Sequence, residues 1–234
     1  MKKLTAVFLT WLVITGSACA DTVTDSTKID GMKEAATISS MDRALIPDTA
    51  VAIPPIEFDS SGAIVMHPSA TSSQHDFDFL VGNWKLRNRK LASRLTHSTE
   101  WVAFESQVEM HQILGGLGNV DKYTDRSSGK PYEGVALRLF NPATRLWSIY
   151  WADSDSGSLD PPVVGSFENG IGHFFARDTY LEHPVIMVFR WDVRNPKFPV
   201  WSQAFSVDDG KTWEWNSINV SERARYSDAV SRAD

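Results

Sequence analysis

The stretch "HDFDFLVGNWKLRNRKL", His75 to Leu91, marks a change of texture in the chain. Its first seven residues suit a short helical turn that offers Phe77, Phe79 and Leu80 to an apolar opening, after which Gly82-Asn83-Trp84 begins a strand. Downstream, eight tryptophans lie between Trp84 and Trp215, in short runs of Val, Ile, Phe, Tyr and Trp separated by Gly, Pro, Asn and Asp clusters. This pattern predicts successive strands near 84–92, 98–110, 132–140, 145–153, 162–168, 171–178, 184–193, 199–207 and 211–222. "NPATR" (141–145), "ENG" (168–170), "RNPK" (194–197) and "DDG" (208–210) supply turn chemistry between them. No sustained helical period and no fixed repeat interrupts the series. The prediction is an all-β domain over 75–225, an antiparallel up-and-down β-barrel, followed by a C-terminal tail at 226–234.

Upstream the composition differs. Residues 21–74 carry many Ser, Thr, Asp and Ala, a Pro-Pro pair and no tryptophan. Such a stretch lacks the apolar area to offset the entropy of ordering, so it reads as a largely disordered leader. One piece, "IEFDSSGAIVM", suits a small hairpin around Asp59–Gly62, or an arm packed on the domain. Residues 1–20 have the form of a signal peptide: Lys2 and Lys3, an apolar run from Leu4 to Ile14, and Ala18-Cys19-Ala20 at the cleavage point. That run is too short for a membrane span, and the segment implies a periplasmic or secreted protein. A lipid anchor at Cys19 is the rival and the less favoured reading, because Gly16 stands where a lipoprotein signal has an apolar branched residue.

Cleavage after Ala20 takes Lys+Arg from 23 to 21 against 29 Asp+Glu, a net charge of about −8. It also removes the single cysteine, and with it any disulfide, thiolate nucleophile or Cys–metal site. An acidic balance argues against nucleic acid as a partner. The six histidines show no paired metal-ligand spacing, so no metal site is expected. No cofactor is called for either; haem on one histidine is conceivable, and solvated or structural histidines are the favoured account. "SVDDGKTWEW", Ser206 to Trp215, fits S-x-D-x-G-x-T-W and resembles the Asp-box of sialidases. It occurs once, in a domain of about 150 residues, whereas a propeller needs several copies and a longer chain. Ser206, Asp208, Gly210 and Trp213 are therefore expected to staple a hairpin.

The G-x-W of Gly82-Asn83-Trp84, placed after an aromatic plug and ahead of about nine strands, resembles the opening of lipocalin and calycin barrels. In that family an Arg of the last strand packs over the Trp ring. The resemblance implies Arg223 in that role, with Arg225 second. "FDFLVGNWKLRNRKL", "RLFNPATRLWSIYWADSDSG", "PPVVGSFENGIGHFFARD" and "WSQAFSVDDGKTWEWNSINVSERAR" together are similar to a bacterial calycin-like domain family of unknown function. The resemblance covers about 75–225 and implies a calycin-type barrel; it carries over no catalytic role.

A barrel of this size encloses one small-ligand cavity lined by alternate residues of each strand. Alternation places Trp151 with Asp153, Trp201 with Gln203, and Trp215 with Asn219, faces that mix aromatic area with single polar groups. Arg138 and Arg190 sit in apolar strands. Exposure is the ordinary reading of each; if both point inward, the pocket favours an anionic ligand. "ILGGLGNVDKY" (113–123) reads as a flexible loop over the barrel mouth whose polar end, Asn119, Asp121 and Tyr123, touches a ligand. The expected function is an exported barrel binding a small, partly apolar molecule. The alternative is a barrel enzyme, an isomerase, hydratase or lyase, in which Asp153 or His111 moves a proton while Arg190 or Arg138 steadies an anion.

Overall fold

The computed structural model describes residues 51–224. The signal segment, most of the leader, Arg225 and the tail lie outside the described residues. A two-stranded hairpin comes first, β1 (Glu57–Phe58) and β2 (Ile64–Val65), with Asp59 accepting the turn N–H groups of Ser61 and Ala63. Ten further strands follow: β3 (Gly82–Leu91), β4 (Trp101–Ile113), β5 (Gly118–Asp125), β6 (Tyr132–Asn141), β7 (Leu146–Asp153), β8 (Val163–Glu168), β9 (Ile171–Tyr180), β10 (His183–Asp192), β11 (Val200–Ser206) and β12 (Glu214–Arg223). Each pairs antiparallel with the next, and β12 returns to pair with β3, so the sheet closes into an up-and-down barrel without a free edge.

There are ten barrel strands where nine were expected. The stretch read as a flexible loop over the mouth is β5, preceded by a 3-10 turn at Leu114–Gly116 at the opposite end of the barrel. Gly115 and Gly116, at φ 64 and 91, make that turn tight. Asn119, Asp121 and Tyr123 are alternate residues on the inner face of a strand.

One end is closed by the segment that opens the domain. Phe77 and Leu80 enter the barrel and pack with Trp84, Trp147, Phe167, Phe174 and Trp191. Phe77 meets Trp147 and Phe167 edge to face, with ring centroids 4.9 and 5.0 Å apart. The Trp84 indole N–H donates to Leu80 O at 2.7 Å. The Arg223 guanidinium lies 4.0 Å over the Trp84 ring and donates to Phe79 O at 2.9 Å and to Val81 O. One cation thus fastens the last strand to the first and to the plug. Gly82, at φ 106, leaves room for that guanidinium, because a Cβ there would stand 2.9 Å from Arg223 Nη1.

Ahead of His75 the chain is already packed on the barrel, so the folded unit begins before the boundary drawn at 75. Ile53, Ile56, Phe58, Ile64 and Met66 cover an outer apolar patch made by Phe175, Ile186, Val188 and Ala204. The hairpin staple borders the same patch. Ser206 Oγ donates to Asp208 and accepts the Gly210 N–H at 2.8 Å, while Asp208 accepts the N–H and O–H of Thr212 at 2.9 and 2.7 Å. Those donors, the Thr212 pair foremost, pull the Asp208 carboxyl down to about 2. Trp213 runs under this turn and meets Phe175 at 6.2 Å.

His173 occupies the outer face of β9, opposite Arg190 of β10 and Ser166 of β8. Burial, then the Arg190 charge, pushes its imidazole down to about 4, against an ordinary value of 6.5. The unfolded chain takes up the proton near 6.5 and the folded one only near 4, so this contribution to stability is whole above about pH 6.5 and falls away as pH drops towards 4. Denaturant titrations across that window should show a loss of up to about 3 kcal/mol, flattened in His173→Gln. An unchanged pH profile in the variant would assign the loss to other groups.

Candidate functional site

Strand register decides which residues face the interior. From Trp84, inward positions propagate through Val108, Tyr123, Gly134 and Asp153, and through Arg223 on the other side. The plugged half of the interior is filled. Above it the inward residues are only half-buried: Tyr123, Phe189 and Trp201 pack on the plug cluster, and Tyr132, Trp151 and Asp153 lie further towards the mouth. Large rings that face inward and stay within reach of solvent are the lining that a small-molecule site uses.

One wall of that lining is built on β5, β6 and β7. Tyr123 meets Trp151 with centroids 5.7 Å apart at 71°, and Tyr132 at 6.2 Å and 79°. Trp151 lies flat across β6 because residue 134 is glycine; a Cβ there would stand 2.3 Å from the indole. Asp153 Oδ2 accepts the Tyr132 hydroxyl at 2.9 Å and the Trp151 N–H at 3.3 Å. Its Oδ1 accepts the backbone N–H groups of Asp155 and Ser156 at 3.0 and 2.8 Å. Burial alone would raise this carboxyl, but the donors from Ser156, Tyr132 and Trp151 outweigh it and hold it below the usual carboxylate range. Burial pushes the Tyr123 phenol up to about 12 and raises Tyr132 as well, so both rings stay neutral. Above Ile149 the β7–β8 ladder stops, and the connection 154–162 takes its place beside Trp151 and Asp153.

The facing wall is more polar. Phe189 and Trp201 meet edge to face at 5.1 Å. Gln203 donates to Asn216 Oδ1 at 2.8 Å, and Asn88 to Ser106 Oγ at 2.8 Å. Asn219, 8 % exposed, faces the same space with its Oδ1 unpartnered among the described residues. Trp201, Gln203 and Asn219 thus share the inner face.

Four expectations are corrected. Trp215 is on the outer face: a β-bulge between Gln203 and Ala204 makes Asn216 an extra residue, and the phase of β12 flips across it. Arg190 is also outside, sealed against the wall, 4.2 Å over the Trp215 ring and donating to Val51 O. His111 is exposed on the outer face of β4, 3.0 Å from Glu109. Arg138 does point inward, but at the plugged end, 2.6 Å from Asp121 and 3.0 Å from Asn119, over the Phe77 ring. The proton carrier and anion holder of the enzyme reading are therefore not assembled from Asp153, His111, Arg138 and Arg190. Nor do Arg138 and Arg190 face a common anion.

Arg94 escaped the sequence reading. It lies at the mouth over the Tyr180 and Phe205 rings at 5.8 and 5.6 Å, while the neighbouring Leu95 N–H donates to Glu214 at 2.7 Å. Burial lowers its pKa. Its segment, "LASRLTHSTE", gives no periodic signal that would place it there. Among the described residues no cluster of three His, Cys, Asp or Glu side chains is arranged to hold a metal, and no helix is long and apolar enough to cross a membrane.

In fold, the chain is a closed antiparallel barrel of ten strands. No protein-family model and no curated protein sequence matches it. Among solved structures it is similar to the S-type phycobiliprotein lyase CPES from Guillardia theta, with 10 % identity and a TM-score of 0.46 over 67 % of this chain and 94 % of that one. So distant a likeness transfers no role, and the reading of the site rests on its own geometry.

Proposed function

We propose that the protein is an exported carrier that holds one small, partly apolar molecule in the mouth half of its barrel. The observation that supports this is the set of inward aromatic rings, Tyr132 and Trp151 towards the mouth and Tyr123, Phe189 and Trp201 on the plug cluster, that remain half-buried inside a closed cylinder. Rings spend little entropy on ordering and offer area; Gln203 and Asn219 orient the guest. The leader, with its basic start, apolar run and small-residue cleavage point, supports export to the periplasm or beyond.

Fluorescence tests the reading, because Trp151 and Trp201 face the cavity. Protein recovered from the periplasm, beginning at Asp21, should show saturable quenching by a guest from a screen of aromatic amines, fatty acids and sterols. The signal should fall by about half in Trp151→Phe if the two cavity indoles report equally. No quenching by any class would sink the carrier reading.

A further inference from the structure

We propose that the aromatic corner at the mouth, Tyr123, Tyr132 and Trp151 around the Asp153 carboxylate, is a cage for an organic cation, a protonated or quaternary amine. The inference rests on the carrier reading and names its ligand class. Tyr123 meets Tyr132 and Trp151 at steep angles, 79° and 71°, and all three rings gather at the Asp153 carboxylate; the face of a Tyr or Trp ring attracts a cation. The carboxylate beside them is fixed by four donors and stays ionised, so it contributes a permanent negative charge where water is partly excluded.

Further carboxyls border the corner. Asp125 pairs with Tyr132 across β5 and β6 on the inner face. Asp160 is held above its usual range by burial and then by the charges of Asp178 and Asp153, so both of these carboxylates lie within electrostatic reach of it. The arginines inside the barrel are engaged elsewhere: Arg138 pairs with Asp121 at the far end, Arg223 lies over Trp84, and Arg94 at the mouth lies over the Tyr180 and Phe205 rings in the field of Glu214. Across the barrel, the unpartnered Oδ1 of Asn219 offers an acceptor to an N–H or O–H of the same guest. A lining of π faces and acceptors under a negative field suits a positive guest and repels an anion.

Three phenyl compounds of nearly equal shape separate charge from size: phenyltrimethylammonium, tert-butylbenzene and benzenesulfonate. Calorimetric and fluorescence titrations of the mature protein should show the cation binding at least about tenfold more tightly than tert-butylbenzene, with benzenesulfonate weaker than both. Asp153→Asn keeps an oxygen for the Asp155 and Ser156 N–H groups and removes the charge. It should weaken the cation about tenfold and leave tert-butylbenzene unchanged. Should that variant fail to fold, the unaltered protein gives the same information: raising salt from about 0.02 to about 0.5 M weakens the cation selectively. Equal or tighter binding of tert-butylbenzene or benzenesulfonate overturns the cation cage and leaves the carrier intact. Binding by none of the three also overturns the cage, while the wider fluorescence screen decides the carrier reading on its own.

Discussion

Trp84→Ala is expected to cost about 3–5 kcal/mol, enough to unfold much of the population of an ordinary domain. Trp84 is 1 % exposed, and its removal leaves a cavity at the plugged end that the surrounding strands cannot fill by collapse, since barrel closure fixes their spacing. Two further links go with the ring. Leu80 O loses its indole donor, and Arg223 loses the face over which it lies while it holds Phe79 O and Val81 O. Trp84→Phe separates the contributions, because a phenyl ring keeps most of the packing and a π face but no N–H. Its cost should be about 1–2 kcal/mol. Urea unfolding followed by far-ultraviolet dichroism checks both values. A loss under about 1 kcal/mol in the alanine variant would mean that the plug end contributes little to closure.

The second large effect concerns Arg138 and Asp121. Arg138→Met should destabilise by about 3–5 kcal/mol, because it leaves a carboxylate in the barrel with its cation gone. Arg138 is 5 % and Asp121 3 % exposed, and the pair is 2.6 Å apart between Phe77 and the β5–β6 ladder. One Asp121 oxygen keeps the Ala136 N–H at 3.2 Å, which is too little for a full charge. The double variant Arg138→Met, Asp121→Leu should recover most of that loss, since two apolar side chains of similar volume need no partners. If the double variant is as unstable as the single, the pair has a role in specifying the packing that exceeds its electrostatics.

The strands were legible because their inner faces alternate rings with small or polar residues, and because Gly, Pro, Asn and Asp clusters separate them. Trp151 with Asp153 and Trp201 with Gln203 could be placed on the inner face from alternation alone. β5 was not legible, since Gly118, Asn119, Asp121 and Lys122 make poor strand-formers that take their conformation from the neighbours on both sides. Trp215 was misplaced by one residue of bulge, which a sequence does not display. Arg190 and Arg138 looked alike in sequence, each in an apolar strand. They differ because the segment 51–66 covers the outer wall over β9–β11, making that outer face as apolar as the inner one and erasing the signal that tells inside from outside. The meeting of Tyr123, Tyr132 and Asp153 depends on register across three strands, and no local pattern records it.

A tube stoppered at its base has a single doorway. Any guest must leave by the route it entered, so how long it stays and how tightly it is held answer to different parts of the chain. Residence time belongs to the rim, where Arg94 and the connection 154–162 border the passage. Selectivity belongs to the rings beneath. On the carrier reading, changes at the rim would therefore alter delivery without altering what is carried.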